Sequence, residues 1–195
     1  ALKTPLAVLR NEAKGETQLD DVVRRQTESM HENVEHYLKR ARMAARAETL
    51  GARTDVTQVV EALARLLNRL FDAKGVNVSV VDGADAVFRG EKQDFEEMIG
   101  NLMDNACKWA KSEVRVRISD SPQALVIDVE DDGPGLPPEA REGAMKRGVR
   151  LDETIPGTGL GLSIVAELAE LHKGSLDLGE SDMGGLLARL RFPKS

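Results

Sequence analysis

Apolar positions recur every three or four residues through the first part of the chain, then give way to a mixture of helical and strand-like periods. Leu2, Leu6, Leu9 and Ala13 form one stripe, Gly15 breaks it, and Thr17 with Asp20 three residues on can cap a second helix. Along that helix Leu19, Val23, Gln26, Met30, Val34, Tyr37, Ala41 and Ala44 keep the spacing. Residues 1–50 therefore predict a helical hairpin, one arm short and one long. Such a pair buries too little by itself, so its stripe is expected to dock on a second copy as a four-helix bundle, making a homodimer; packing against the neighbouring domain is the alternative. Residues 51–54 interrupt the pattern. Beyond them the periods predict helix over 56–73, strands over 76–81 and 86–89, helix over 91–110, strands over 113–119 and 124–131, helix over 159–172, and strands over 175–179 and 186–192. The expected class is α+β: a hairpin over 1–50, then a two-layer α/β sandwich over 51–195. Between Asp131 and Gly159 runs a stretch rich in Gly, Pro and charge, with room for a short helix at most. Loops of that length in compact domains are commonly functional, and a lid is expected over about 136–158.

Composition narrows the picture without changing it. With 41% hydrophobic side chains in 195 residues, the chain can bury a full domain core, and its formal net charge of -6 disfavours a general nucleic-acid or lipid-binding surface, though local basic patches remain open. Cys107 is the only cysteine, so neither an internal disulfide nor a two-cysteine metal pair can form, which fits a reducing compartment. No run of roughly 18 apolar residues occurs, and the opening ALKTPLAVLR is too short for a signal peptide. Because the chain opens inside an apolar-periodic segment, it reads as a piece of a longer protein.

Three segments carry candidate chemistry. On the helix over 91–110, Asn101, Asn105 and Lys108 stand at i, i+4 and i+7, so two amides and an ammonium share a face opposite the apolar stripe. Asn is a weak helix former, an amide oxygen can ligand a hard cation, and a lysine can meet phosphates sharing that cation; an ordinary solvated face is the alternative. At a strand end, VEDDGPGLPP places Asp131 and Asp132 before Gly133 and Gly135. These glycines permit a sharp turn close to a flat ligand, and a carboxylate there can accept from an exocyclic amine such as that of adenine; a tight turn alone would also explain them. Finally, GTGLGL sets Gly157, Gly159 and Gly161 before an apolar helix, whose free N–H groups suit an anion. The spacing matches neither the P-loop nor the dinucleotide fingerprint.

Taken in this order, the segments resemble the catalytic region of bacterial two-component sensor histidine kinases, whose Bergerat ATP-binding fold is shared with DNA gyrase, Hsp90 and MutL. ALKTPLAVLR is similar to the tail of the H box, NLMDNACKWA to the N box, DDGPG to the G1 box and GTGLGL to the G2 box. The wording ALKTPLAV, DNACKW and VEDDGPG resembles the PhoQ-like branch. The resemblance implies ATP and Mg2+ as ligands, with Asn105 on the metal, Asn101 beside it, Lys108 on a phosphate, Asp131 reading adenine and Trp109 flanking the nucleotide; for Trp109, filling the core is the alternative. It further implies that Gly133 and Gly135 shape the base pocket, that Gly157, Thr158, Gly159, Leu160 and Gly161 shape the phosphate end of the lid, and that Arg150 lies near the terminal phosphate, with Lys146 and Arg147 weaker candidates. Two positions depart from the pattern. Met145 stands where the F box has phenylalanine, and Ala1 stands where the H box usually has an acidic residue.

By the same resemblance the phosphate-accepting histidine belongs one position before Ala1. Thr4 then falls where the family positions a water that dephosphorylates the response regulator, or is simply a polar residue before Pro5. His31 and His36 are expected on a surface or partner-facing side of the long arm, and His172 as a solvated residue at a helix C-terminus. The implied activity is ATP:protein-histidine phosphotransfer followed by transfer to an aspartate of a response-regulator receiver domain, in the cytoplasmic part of an inner-membrane protein. A nucleotide-binding docking dimer without catalysis is one alternative. A hydrolysing ATPase of the same fold is another, disfavoured because Asn101 occupies the position where such enzymes carry a glutamate base.

Overall fold

The computed structural model describes residues 52–81, 85–145 and 160–194; the hairpin expected over 1–50 lies outside them. In chain order the elements are β1 (Thr54–Asp55), α1 (Val56–Leu70), a 3-10 turn (Asp72–Lys74), β2 (Asn77–Val81), β3 (Val87–Phe88), α2 (Lys92–Trp109), β4 (Glu113–Asp120), β5 (Ala124–Asp131), α3 (Pro138–Ala144), α4 (Gly161–Leu171), β6 (Ser175–Glu180) and β7 (Leu186–Pro193). Five strands form one sheet in the order β2-β4-β5-β7-β6, with β2 parallel to β4 and every other pair antiparallel; β1 and β3 form a separate antiparallel ribbon. Helices α1, α2 and α4 cover the sheet, giving the expected two-layer α/β sandwich.

Local chemistry explains the boundaries. Asp55 accepts from the Gln58 N–H at 2.9 Å and caps α1, a contact type contributing about 1 kcal/mol. The helix stops at Leu70, short of the expected 73, because the chain tightens into the 3-10 turn and reverses at Gly75 with φ +73°. Asn68 then ties α1 to the outer edge of β2, donating from Nδ2 to the Val78 carbonyl (3.0 Å) and accepting the Val78 N–H at Oδ1 (2.7 Å). One side chain thus satisfies an edge strand that would otherwise invite pairing.

The core follows the two periods. Phe95, Met98, Ile99, Leu102, Met103 and Ala106 of α2 are buried against Val114, Val116 and Ile118 of β4, Leu125, Ile127 and Val129 of β5, and Ala188 and Leu190 of β7. The outer sheet face is covered by charge. Arg189 grips Asp128 through two hydrogen bonds of 2.7 Å, and Arg117 lies 3.5 Å from Glu130 across the neighbouring strand pair. Three of the four phenylalanines take part in one aromatic cluster: Phe88 lies 5.0 Å from Phe95 and 4.9 Å from Phe192 between ring centroids.

His172 belongs to that cluster, which corrects the expectation of a solvated residue. Its ring meets Phe88 edge to face at 4.9 Å, its Nε2 is 2.9 Å from Asp94 Oδ2, and its side chain is only 16% exposed. The helix end is indeed there, but Phe88 and Asp94 fold over it.

Candidate nucleotide-binding site

Three elements bring the candidate residues together: the outward face of α2, the end of β5 and the start of α4. Asn101 and Asn105 are half-buried on α2. The Asn101 amide nitrogen donates to the Glu97 carbonyl at 2.8 Å, while its Oδ1 abuts Gly161, whose Cβ, were it present, would lie 3.3 Å away. The amide face of α2 and the first residue of α4 are therefore in direct contact. Leu160 offers no side-chain cap to α4, so the first-turn N–H groups are left for a ligand or water. Ser163 does not compete for them, because its hydroxyl donates to the Leu160 carbonyl at 2.9 Å.

At the other end, Lys108 pairs with Asp104 at 2.7 Å, one turn back. Its ammonium must exchange this partner for any other anion, and because both side chains are over a third exposed the pair is weak. The helix C-terminus is closed by Lys74, whose Nζ donates to the Cys107 and Lys108 carbonyls at 2.9 and 2.6 Å. Cys107 is buried, and burial, with the charges of Asp104 and Asp131, pushes its thiol up to about 11. It stays protonated and inert. Trp109, the last residue of α2, is half-buried and outside the core, which sets aside the core-filling alternative.

The two adjacent carboxylates at the end of β5 differ completely. Asp131 is 2% exposed, and its Oδ1 accepts the N–H groups of Gly133 (2.8 Å) and Leu186 (3.2 Å); among the described residues no hydrogen bond falls on Oδ2. Burial raises its pKa above the ordinary value in spite of those two bonds. Asp132 is also opposed by burial, but the Ser112 hydroxyl and the N–H groups of Ser112, Glu113 and Lys111 outweigh it and hold the carboxyl at about 2. Asp132 staples the α2–β4 connection to β5, whereas Asp131 keeps Oδ2 without a hydrogen bond among the described residues.

Glycines make the room for Asp131. A Cβ on Gly133 would come within 2.5 Å of the Trp109 carbonyl and 2.8 Å of Asp131 Oδ1, and Gly135 has φ +68°. Gly185 escaped the sequence reading: a Cβ there would collide with Asp131 Oδ1 and with the Asp131 carbonyl. The pair Gly184-Gly185 between two strand patterns signals a hairpin turn, but nothing local reveals that the turn closes on Asp131. Asp104 and Lys74 were missed likewise. Gly157, Thr158, Gly159, Arg150, Lys146, Arg147 and Thr4 lie outside the described residues, as do His31 and His36. Within the expected lid, Met145 is half-buried next to α3, and Arg141 ties α3 back to the Leu136 carbonyl at 3.0 Å.

This arrangement offers a buried carboxylate for a base, an uncapped helix end for an anion, and the Asn105 amide for a hard cation. Among the described residues no cluster of three His, Cys, Asp or Glu could hold a metal unaided, so a cation here would have to share its ligands with a bound anion.

Residues 90–195 match the family described as histidine kinase-, DNA gyrase B-, and HSP90-like ATPases. The chain belongs to this family. Among its relatives, sensor protein kinase CarS of Pseudomonas aeruginosa is 38% identical over 99% of this chain and 44% of its own length. Sensor protein PhoQ of Escherichia coli K12 is 38% identical over 98% of this chain and 41% of its own length. The chain therefore spans less than half of these ATPase-family relatives. Among solved structures, the mycobacterial sensor histidine kinase MprB aligns with a TM-score of 0.64 and 26% identity over 74% of this chain and 97% of its own. Full-length ShkA in complex with AMPPNP aligns at 0.69 over 98% of this chain and 43% of its own; at 23% identity it supports the fold alone. Among the described residues no helix is long and apolar enough to cross a membrane.

Proposed function

We propose that this chain is the kinase portion of a sensor histidine kinase, which uses Mg-ATP to phosphorylate a histidine one position before Ala1 and passes the phosphate to an aspartate of a response-regulator receiver domain. Residues 1–50 serve as the dimerising, phosphate-accepting hairpin and 51–195 as the ATP-binding domain. We place it in the cytoplasmic part of an inner-membrane protein, as a homodimer joined through the apolar stripe of residues 1–50.

Asp131, its Oδ1 engaged by two N–H groups, keeps Oδ2 for the exocyclic amine of adenine. Trp109, Gly133 and Gly135 border the base. The α4 N-terminus, from Leu160 and Gly161 onward, meets the phosphate chain with Gly157, Thr158 and Gly159 ahead of it, while Lys108 and Arg150 neutralise its outer charge. Magnesium held by Asn105, with Asn101 alongside, would offset phosphate charge in the transition state. The neutral imidazole attacks the γ-phosphorus in line through its unprotonated nitrogen; a P–N bond forms, ADP leaves with the electron pair of the broken P–O bond, and the proton on the other ring nitrogen passes to solvent. Thr4 would orient a water that hydrolyses the phosphoryl group from the regulator's aspartate and releases inorganic phosphate.

The observation that carries the kinase reading over hydrolysis is Asn101. It fills the position of the water-activating glutamate, spends its nitrogen on the Glu97 carbonyl and packs its oxygen on Gly161. An amide cannot act as a general base at neutral pH.

The test is labelling with ATP radiolabelled at its γ-phosphate. Protein that includes the residue before Ala1 should acquire acid-labile phosphate and release little free phosphate, whereas the chain from Ala1 should bind ATP and stay unlabelled. Label on the chain from Ala1 would move the acceptor to His31, His36 or His172; rapid phosphate release without label would favour a hydrolysing ATPase.

A further inference from the structure

The Asp94–His172 contact has no part in the chemistry above. Asp94 stands in the first turn of α2 and His172 immediately follows α4. The two helices run antiparallel: Asn101 meets Gly161 at the start of α4, and seven residues earlier on α2 Asp94 meets His172 at its end. Between these anchors the buried residues of α4 are Ser163, whose hydroxyl bonds within the helix, and the apolar Val165, Leu168 and Ala169. The polar anchor is directional and largely desolvated, at 16% and 15% side-chain exposure, with Nε2 as donor because a carboxylate only accepts. Gly90 makes room for it: a Cβ there would come 2.8 Å from His172 Cε1.

We infer that Asp94 and His172 are positioning residues that set the axial register of α4, and thereby the place its N-terminal N–H groups hold for the phosphate chain. A helix of 11 residues, about 16 Å long, moves as a rod, so a slip at His172 reappears at Gly161. This rests on the proposed seating of the phosphates at α4; adenine, read by Asp131 on β5, is independent of it. The pair therefore acts on the phosphate part of binding and leaves the base part alone.

The experiment is calorimetric affinity of the 195-residue chain for Mg-ATP and for AMP, comparing wild type with His172→Ala, Asp94→Ala and His172→Gln, each checked for folding by circular dichroism. The two alanine variants should lose about tenfold for ATP, the size of one buried hydrogen bond, and less than about twofold for AMP. Gln carries an N–H near the position of Nε2 and should recover most of the loss. Equal losses for both nucleotides, or none, would overturn the inference and leave a purely structural pair. A wild type that binds AMP as tightly as ATP would instead overturn the seating of the phosphates at α4, and the inference with it.

Discussion

Asp131 and Asp132 are neighbours with identical side chains and opposite circumstances, one buried with a raised pKa and the other held at about 2. Period two along β5 already separates them: Leu125, Ile127 and Val129 point to the core, so Asp131 must follow. What the sequence could not disclose is the backing of Asp131. Gly185 and the Leu186 N–H approach it from more than fifty residues away, and no local pattern announces a contact of that range. The consequence is testable with Asp131→Asn. The amide oxygen can still accept from Gly133 and Leu186, but its nitrogen then faces the adenine amine, donor against donor. The preference for ATP over GTP should collapse, with at least about a tenfold loss of ATP affinity, as read by competition binding. Stability should not suffer. A carboxyl whose folded pKa is raised costs stability once ionised, above that pKa, so at pH 7 the neutral variant should melt no lower than wild type.

Among the elements, the long periodic ones were the most legible. Helix α2 and strands β4, β5 and β7 fall within a residue or so of their expected limits, because each combines an unbroken period with a clear breaker such as Gly90 or the Ser121-Pro122 turn. The two-residue β1 was not, since a ribbon that short has no period to read. His172 was misplaced for a related reason: a helix-end histidine looks solvated until Phe88 and Asp94, brought from β3 and α2, cover it. Asp132 shows how elements are stapled, its carboxylate joining the start of β4 to the end of β5. Its folded pKa lies below the unfolded value of about 3.9, so its contribution is complete above pH 4 and is lost as pH falls toward 2. Asp132→Asn should therefore lower Tm by a few degrees at pH 7, about 1 kcal/mol for a near-surface group. The gap to wild type should close in melts at pH 2.5 to 2; a gap of constant size across that range would mean that the charge is not what holds the staple.

At the scale of the whole molecule, the sandwich sets α2 against the start of α4 through Asn101 and Gly161 and against the end of β5 through Trp109 and Gly133, which is what would let residues spread from 101 to 186 serve one ligand. The order N-rich helix, DxGxG, GxGxG was visible in the sequence; the proximity of Asn101 to Gly161, which sets the amide face of α2 against the start of α4, was not. In the proposed function one nucleotide spans these elements and shares a magnesium ion with Asn105. Titration calorimetry of the chain with ATP, with and without magnesium, for wild type and Asn105→Ala, tests it most directly. Wild type should bind ATP markedly more tightly with magnesium than without, and Asn105→Ala should lose that magnesium-dependent gain while remaining folded. An affinity unchanged by the substitution in the presence of magnesium would rule out Asn105 as the magnesium ligand.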